Sequence, residues 1–137
     1  MVDKERFLEL MGVDNYAVLA GMEVVKADPG YAEVKLPITQ KVLNGHGNLH
    51  GGALFTLADY AGAVASNMHG RATMAVNGSI SFMRAVQSGY VLARATTVKT
   101  GRRINFITVE IVDDQDRPIA SFQGGAMAVE RKDGNAS

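Results

Sequence analysis

The chain of 137 residues contains no cysteine, no tryptophan, only three prolines and no excess of charge of either sign. Without cysteine there are no disulfides, no thiolate catalysis and no metal held through sulfur. Lysine and arginine number 14 together, as do aspartate and glutamate, so no net field draws the chain to nucleic acid or an anionic membrane. Few prolines beside 15 glycines favour turns and tight packing over a linker.

The proportions of apolar and charged residues are those of an ordinary globular domain. Apolar residues make up 47% of the chain and charged residues 20%, and the length suffices for a real core. No internal repeat or linker interrupts it, which predicts one domain over 1–137 with a polar tail at 131–137. The first segment, MVDKERFLELMG, mixes charges and lacks the apolar centre of a signal peptide, so we expect a cytoplasmic protein.

One stretch, 43–68, differs from the rest of the chain. It reads LNGHGNLHGGALFTLADYAGAVASNM and contains a single charged residue, Asp59. A glycine-rich turn leads into a helix expected at about 51–68, too short and too polar at Asp59 to span a bilayer. A helix that is apolar all round is buried. A lone carboxylate in such a helix is costly unless it has partners or a task, so function is expected here.

Alternating patterns on both sides of this helix predict a sheet. A short helix is expected at 4–12, ended by Gly12, and a turn or second short helix at 15–19. Six strands are expected at 22–27, 31–38, 72–84, 90–99, 104–112 and 119–130. Their short connections make them largely antiparallel. An apolar helix needs a sheet that curls around it, so the predicted class is α+β with a curved antiparallel sheet around one long central helix.

The glycines and the aspartate of the central stretch suggest chemistry, each with a plainer alternative. Gly51 and Gly52 open the helix, where free N–H groups and a partial positive charge suit an oxyanion such as a polarised carbonyl. They could equally form only a tight turn. Asp59 lies about 12 Å further along the axis, at roughly 1.5 Å per residue. A shared site therefore requires two subunits with antiparallel helices; otherwise Asp59 is a buried carboxylate bonded to neighbouring polar groups.

Other polar residues are candidates of the same kind. His46 and His50 are four residues apart, but no glutamate lies between them and no third ligand is evident, so no metal site is predicted. His50 is expected to hold the turn, and Asn44 to brace the loop or orient a water. Arg102 and Arg103 extend a cationic turn that fits a phosphate or a solvated hairpin end. No GxSxG elbow, phosphate loop or Rossmann fingerprint is present.

The central motif resembles the signature of hotdog-fold acyl-CoA thioesterases, in particular the PaaI-like, phenylacetyl-CoA thioesterase branch. The resemblance rests on Asn44-x-x-Gly47-x-x-His50-Gly51-Gly52 followed by Leu57-Ala58-Asp59, and it extends over about 22–129. It implies a hotdog fold, homodimers joined sheet edge to edge, and homotetramers. It further implies hydrolysis of an aryl (phenylacetyl- or hydroxyphenylacetyl-like) or medium-chain acyl-CoA to free acid and CoA, in phenylacetic acid degradation. No metal or redox cofactor is implied, since CoA is part of the substrate.

The resemblance also implies a role for each residue of the motif. The Gly51 N–H would polarise the thioester carbonyl, and Asp59 of the partner subunit would act as general base or nucleophile. Asn44 would orient the water, and His50 would stabilise the loop near the thioester. The residues expected to contact substrate are Gly52, one of Asn77 and Ser79, and, through the phosphates of CoA, Arg84, Arg102 and Arg103.

The sequence departs from the family pattern in two places, and two other activities are weighed against thioester hydrolysis. Ala85 stands where relatives often have proline, and the small residues at 61–63 are expected to enlarge an acyl pocket near Asp59. A dehydratase is disfavoured because the HxxxxPG-like loop is absent. The remaining alternative is a non-catalytic acyl-CoA-binding or ligand-sensing module. No DNA-binding segment is visible, and a carboxylate in an apolar helix favours chemistry over passive binding.

Overall fold

A computed structural model describes residues 4–68 and 70–129; the predicted polar tail at 131–137 lies outside them. Three helices and six strands follow one another along the chain. They are α1 (Lys4–Met11), α2 (Asn15–Ala20), β1 (Glu23–Asp28), β2 (Tyr31–Pro37), α3 (Gly51–Asn67), β3 (Thr73–Phe82), β4 (Tyr90–Thr100), β5 (Ile104–Asp113) and β6 (Pro118–Ala128). None of the helices within these residues is long and apolar enough to cross a membrane.

All six strands belong to one antiparallel sheet, which confirms the predicted fold class. The strand order is β1-β2-β4-β5-β6-β3, and α3 contacts every strand. Because β2 and β3 are joined through α3 yet lie four places apart in the sheet, the helix crosses the concave side. β3 therefore becomes an edge strand that pairs only with β6.

The core lies between α3 and the concave face of the sheet. The predicted alternation is confirmed on β5 and on the first half of β4, where every second residue is buried: Asn105, Ile107, Val109 and Ile111 on β5, and Val91, Ala93 and Ala95 on β4. Leu54, Leu57, Ala61 and Val64 of α3 pack against them. Burial of each Leu, Ile or Val side chain among them contributes about 1.5–3 kcal/mol to stability.

One face of α3 is not covered within the single chain, which corrects the expectation that the helix is buried on every side. Phe55 keeps 38% of its surface, and Asp59 one turn later is also exposed. The neighbouring edge strand β3 is exposed along most of its length, with Met74 at 62% and Phe82 at 56%. The sheet and α2 flank the helix without closing over this side, so an apolar surface remains open.

A buried polar cluster joins the end of α3 to β3 and β5. Ser66 Oγ accepts hydrogen bonds from Thr73 Oγ1 (2.9 Å) and Asn105 Nδ2 (2.8 Å). Asn67 donates from Nδ2 to the Ala63 carbonyl (2.8 Å) and accepts from the Thr73 N–H (3.0 Å). These contacts fix the direction in which the chain leaves the helix and enters the edge strand.

Candidate active site

The N-terminus of α3 presents one backbone amide without an acceptor. His50 caps the helix: its Nδ1 accepts from the Gly52 N–H (2.8 Å), and its carbonyl accepts from Ala53 and Leu54 (3.0 and 3.1 Å). Because Nδ1 accepts, the neutral imidazole carries its proton on Nε2. Among residues 4–68 and 70–129, no group accepts a hydrogen bond from the Gly51 N–H. This amide stands at the positive end of the helix dipole and suits an oxyanion.

The loop before the helix is held by Asn44. Its Oδ1 accepts from the backbone N–H groups of His46 (2.9 Å) and Asn48 (3.1 Å), and Gly47 turns the chain at φ 78°. The side-chain oxygen therefore serves the loop. The Nδ2 group of Asn44 has no acceptor within the described part of the chain and remains a donor for a ligand.

A cleft of about 380 Å³ brings Gly51 and Asn44 together with Arg84. The far wall is Phe82, whose ring lies 3.3 Å from the place that a Cβ on Gly51 would occupy. Glycine at this position lets the ring approach the helix N-terminus, and any larger residue would have to displace it. The cleft thus offers a free N–H, an amide donor and a guanidinium to one bound molecule.

Asp59 stands apart from this cleft, on the open face of α3. No described residue donates a hydrogen bond to its carboxylate or pairs with it. Although the side chain is exposed, partial loss of hydration raises the pKa of its carboxyl group, and the negative charge of Asp14 raises it further. Eight residues of helix separate it from Gly51, about 12 Å at roughly 1.5 Å per residue. Within one chain, Asp59 and the Gly51 amide therefore cannot act on the same bound group.

The small residues at 61–63 differ in their surroundings, and the acyl pocket expected from them stays a prediction. Ala61 is fully buried in the core, and a Cβ on Gly62 would lie 3.3 Å from Ile107. Gly62 and Ala63 line the space beside Asp59, and the cavity that the single chain forms there measures about 20 Å³. This part of α3 belongs to the face that the single chain leaves open.

Asn77 lines the small cavity that also contains Asp59, whereas Ser79 does not. Gly78 points inward, since a Cβ on it would meet the Phe55 ring at 3.2 Å. Side chains alternate along a strand, so Ser79 points outward. The Asn77 Oδ1 likewise lies over the outer side of Gly125, at 2.8 Å from its Cβ position. A β-bulge between Ala75 and Asn77 breaks the continuous alternation expected for this strand.

The remaining arginines lie at the opposite end of the helix. Arg71, just after α3, donates from its guanidinium to the carbonyls of Gly101 and Arg102, and so braces the turn that bears Arg102 and Arg103. Arg84 lies at the N-terminal end of the same 17-residue helix, about 25 Å away at roughly 1.5 Å per residue. The two arginine groups cannot meet one ligand within a single chain.

Comparison with known proteins agrees with this geometry. The sequence profile of the thioesterase superfamily matches residues 46–120, which include the loop, α3 and Asp59. The chain belongs to the thioesterase superfamily. As a member of it, with the six-stranded sheet and the single long helix, it is a thioester hydrolase of the hotdog fold.

Relatives of the whole domain support the same placement within the superfamily. The acyl-coenzyme A thioesterase PaaI of Escherichia coli is 37% identical over 112 residues, covering 81% of this chain and 80% of the relative. The structure of the E. coli PaaI protein from the phenylacetic acid degradation operon superposes with a TM-score of 0.84 at 31% identity, covering 91% and 94%. Protein PA5202 of Pseudomonas aeruginosa superposes with a TM-score of 0.83 at 30% identity, covering 93% and 100%. The chain is therefore a PaaI-like hotdog thioesterase.

Sequence reasoning expected a turn or second short helix at 15–19 but did not single out Asp14, which caps that helix. Asp14 Oδ1 accepts from the Ala17 N–H (3.0 Å), and its charge acts on both Asp59 and Tyr60. An aspartate directly before a short apolar segment is an N-cap signal and could have located this helix. Its proximity to Asp59 depends on tertiary packing and leaves no trace in the sequence.

Proposed function

We propose that the protein hydrolyses acyl-CoA thioesters with an aryl (phenylacetyl- or hydroxyphenylacetyl-like) or medium-chain acyl group, releasing the free acid and CoA. One observation carries this proposal: the Gly51 N–H, at the N-terminus of α3, lacks an acceptor among the described residues and opens into a cleft with Asn44 and Arg84. The printed name of the E. coli relative, an acyl-coenzyme A thioesterase, supports CoA as the carrier.

A second copy of the chain would complete the site. The open face of α3 and the exposed edge strand β3 are apolar surfaces of the kind that subunits cover. Two copies with antiparallel helices would set Asp59 of each beside Gly51 of the other. The same arrangement would bring Arg102 and Arg103 of the partner toward the end that holds Arg84, where all three could meet the phosphates of one CoA. Two such homodimers would form a homotetramer.

In this arrangement each group has a defined task. The thioester carbonyl accepts a hydrogen bond from Gly51, and the helix dipole stabilises the oxyanion that forms. The partner's carboxylate at position 59 either removes a proton from the attacking water or attacks the carbonyl itself, and its raised pKa makes it a stronger base. The Asn44 Nδ2 orients the water. The C–S bond then breaks, and CoA leaves as the thiolate and takes up a proton. If the carboxylate attacked the carbonyl itself, water then hydrolyses the resulting anhydride, which releases the free acid and restores the carboxylate.

The first test is thiol release from a panel of aryl and fatty acyl-CoAs. Asp59→Asn keeps the size of the side chain and removes its basicity, so we expect a loss of about a hundredfold or more. Asp28→Asn is the control, because Asp28 lies half-exposed in a surface ion pair with Lys26. If wild type binds acyl-CoA without releasing thiol, the protein is a binding module. If folded Asp59→Asn is as active as wild type, another residue is the catalyst.

A proline at position 51 tests the amide itself. Gly51 is the first residue of α3, where proline fits, and the preceding His50 already has the extended backbone (φ −64°, ψ 135°) that proline requires. Gly51→Pro removes the N–H and should lower kcat by about a hundredfold or more. Gly51→Ala is the matched control, because it adds the same contact with Phe82 but keeps the N–H. Equal activity of the two variants would exclude the amide from the reaction.

Mixing the two inactive variants tests the shared site. In a hybrid dimer of Asp59→Asn and Gly51→Pro, one of the two sites receives both wild-type residues. Random mixing makes half of the dimers hybrid, so activity should return to about a quarter of the wild-type value, as expected for a two-fold interface. Recovery of no activity, with hybrid dimers shown by native mass spectrometry, would place both residues of one site in the same chain.

A further inference from the structure

The turn between β4 and β5 is held by a guanidinium from a distant part of the chain. Arg71 follows α3 directly and lies 31 residues before Arg102. Its Nη1 donates to the Arg102 carbonyl, and its Nη2 donates to the Gly101 carbonyl (3.1 Å). The Arg103 carbonyl accepts from the Ala128 N–H (2.8 Å). All three carbonyls of the turn are thus bonded, and Arg71 holds two of them.

The same turn gathers positive charge without a neighbouring counter-charge. Lys99, Arg102 and Arg103 lie within five residues of one another, and all three are exposed. Arg71 adds a fourth exposed cation at the turn. In the part of the chain that the structure describes, no carboxylate forms an ion pair with any of the four. Cations that repel one another at one place on the surface favour the binding of an anion there.

The two hydrogen bonds from Arg71 bear on how well such a turn binds phosphate. Ordering a loop and its side chains on binding costs free energy, and a turn that is fixed beforehand avoids part of this cost. The planar guanidinium suits the task, because its donors form a rigid fork that reaches two adjacent carbonyls at once. We propose that Arg71 is a positioning residue, which fixes the turn so that Arg102 and Arg103 meet the phosphates of CoA together. This inference rests on the proposed function and names what holds its phosphate-binding turn.

The contact also ties the turn to the helix that carries Asp59. In the proposed dimer, one subunit supplies both Asp59 and the arginine turn to the same substrate molecule. Arg71 leaves the end of that helix and bonds the turn, so the two parts keep a fixed separation. Loss of this link should weaken the hold on the phosphates and leave the groups that react with the thioester in place.

The experiment compares two substrates that share the acyl group and the thiol arm. One is an acyl-CoA, and the other is the acyl-pantetheine, which lacks the nucleotide and its phosphates. Arg71→Gln removes the fork and the charge, whereas Arg71→Lys removes the fork but keeps the charge. Arg94→Gln is the matched control, because Arg94 pairs with Asp116 (3.3 Å) and lies about 20 Å from Gly101 along β4, at roughly 3.3 Å per residue. Thermal unfolding shows that each variant is folded.

Arg71→Gln should raise KM for the acyl-CoA roughly fivefold, the size of one exposed ion pair, and leave kcat nearly unchanged. Its kinetics with the acyl-pantetheine should equal those of wild type. Arg71→Lys should lose as much as Arg71→Gln, because a single ammonium does not reproduce the fork. Arg94→Gln should leave the preference for the acyl-CoA over the acyl-pantetheine unchanged.

A chain with both Arg102→Gln and Arg103→Gln tests whether Arg71 acts through these two residues. In that background Arg71→Gln should cause no further rise in KM, and a full further rise would overturn the inference. An equal loss with both substrates overturns it too, since Arg71 would then have only a structural role. Wild-type kinetics of Arg71→Lys also overturns it, because the charge alone would suffice. Absence of thiol release from every acyl-CoA by wild type would instead reject the proposed function.

Discussion

The close packing of Gly78 and Gly124 around the Phe122 ring permits a quantitative prediction about stability. The ring is almost fully buried and meets Phe55 edge-on, with 5.5 Å between the ring centroids. A Cβ on Gly78 would lie 2.8 Å from two atoms of the Phe122 ring, and a Cβ on Gly124 would lie 2.9–3.0 Å from its other edge. The ring is enclosed on both sides, so it cannot retreat from an added methyl group.

Gly78→Ala should therefore destabilise the protein. Overpacking of this kind costs about 1–3 kcal/mol. For a chain of this length we expect a decrease in Tm of roughly 3–10 °C, intermediate between the values for small and for large domains. Gly45→Ala is the control, because no heavy atom lies within 4 Å of its Cβ position and its φ is not left-handed. Its stability should stay within about 0.5 kcal/mol of wild type.

Urea and thermal unfolding at one fixed protein concentration measure the effect, since stability of an oligomer depends on concentration. Phe122→Leu removes the ring atoms that the new methyl group would strike. In a double-mutant cycle, Gly78→Ala should therefore cost less in the Phe122→Leu background, with a coupling of at least about 0.5 kcal/mol. If Gly78→Ala is as stable as Gly45→Ala, or the cycle shows no coupling, the packing at Gly78 and Gly124 does not constrain the Phe122 ring.

Three further predictions concern charge and buried polarity. Asp14→Asn preserves the cap, because asparagine caps equally well, but removes a negative charge that raises the pKa of Asp59; the acid limb of kcat/KM should move to lower pH. Ser66→Ala deprives two buried donors of their acceptor and should cost about 1–3 kcal/mol in urea unfolding. The pKa of Asp113 is lowered because hydrogen bonds from the backbone and guanidinium of Arg117 and from the adjacent backbone outweigh the effect of burial. The stability it contributes is present at neutral pH and is lost as pH falls through the lowered value, so Asp113→Asn should flatten Tm against pH in that acid range.

Periodicity in the sequence located most of the secondary structure. The alternation on β4 and β5 even placed Asn105 on the inner face, because its neighbours in the pattern are apolar. The features that periodicity did not predict are those that depend on pairing between distant strands. The bulge between Ala75 and Asn77 depends on pairing with β6, about fifty residues later, and the sequence of β3 alone does not reveal it.

The candidate site shows a second limit of prediction from the sequence. An apolar residue in a core and one in a subunit interface give the same sequence signal, since both are removed from water. The open face at Phe55 and Asp59 was for that reason expected to be buried within the chain. The motif did indicate which residues lie at the start of α3. The cleft between α2 and α3, in contrast, depends on how α2 packs on α3, which no local pattern records.

The position of β3 has a consequence for synthesis on the ribosome. β3 pairs only with β6, and 35 residues separate the end of β3 (Thr73–Phe82) from the start of β6 (Pro118–Ala128). At about 5–20 residues per second, translation leaves the nascent edge strand without its partner for roughly 2–7 s. During that interval Met74 and Phe82 face solvent beside an unpaired backbone, a surface on which neighbouring nascent chains can associate.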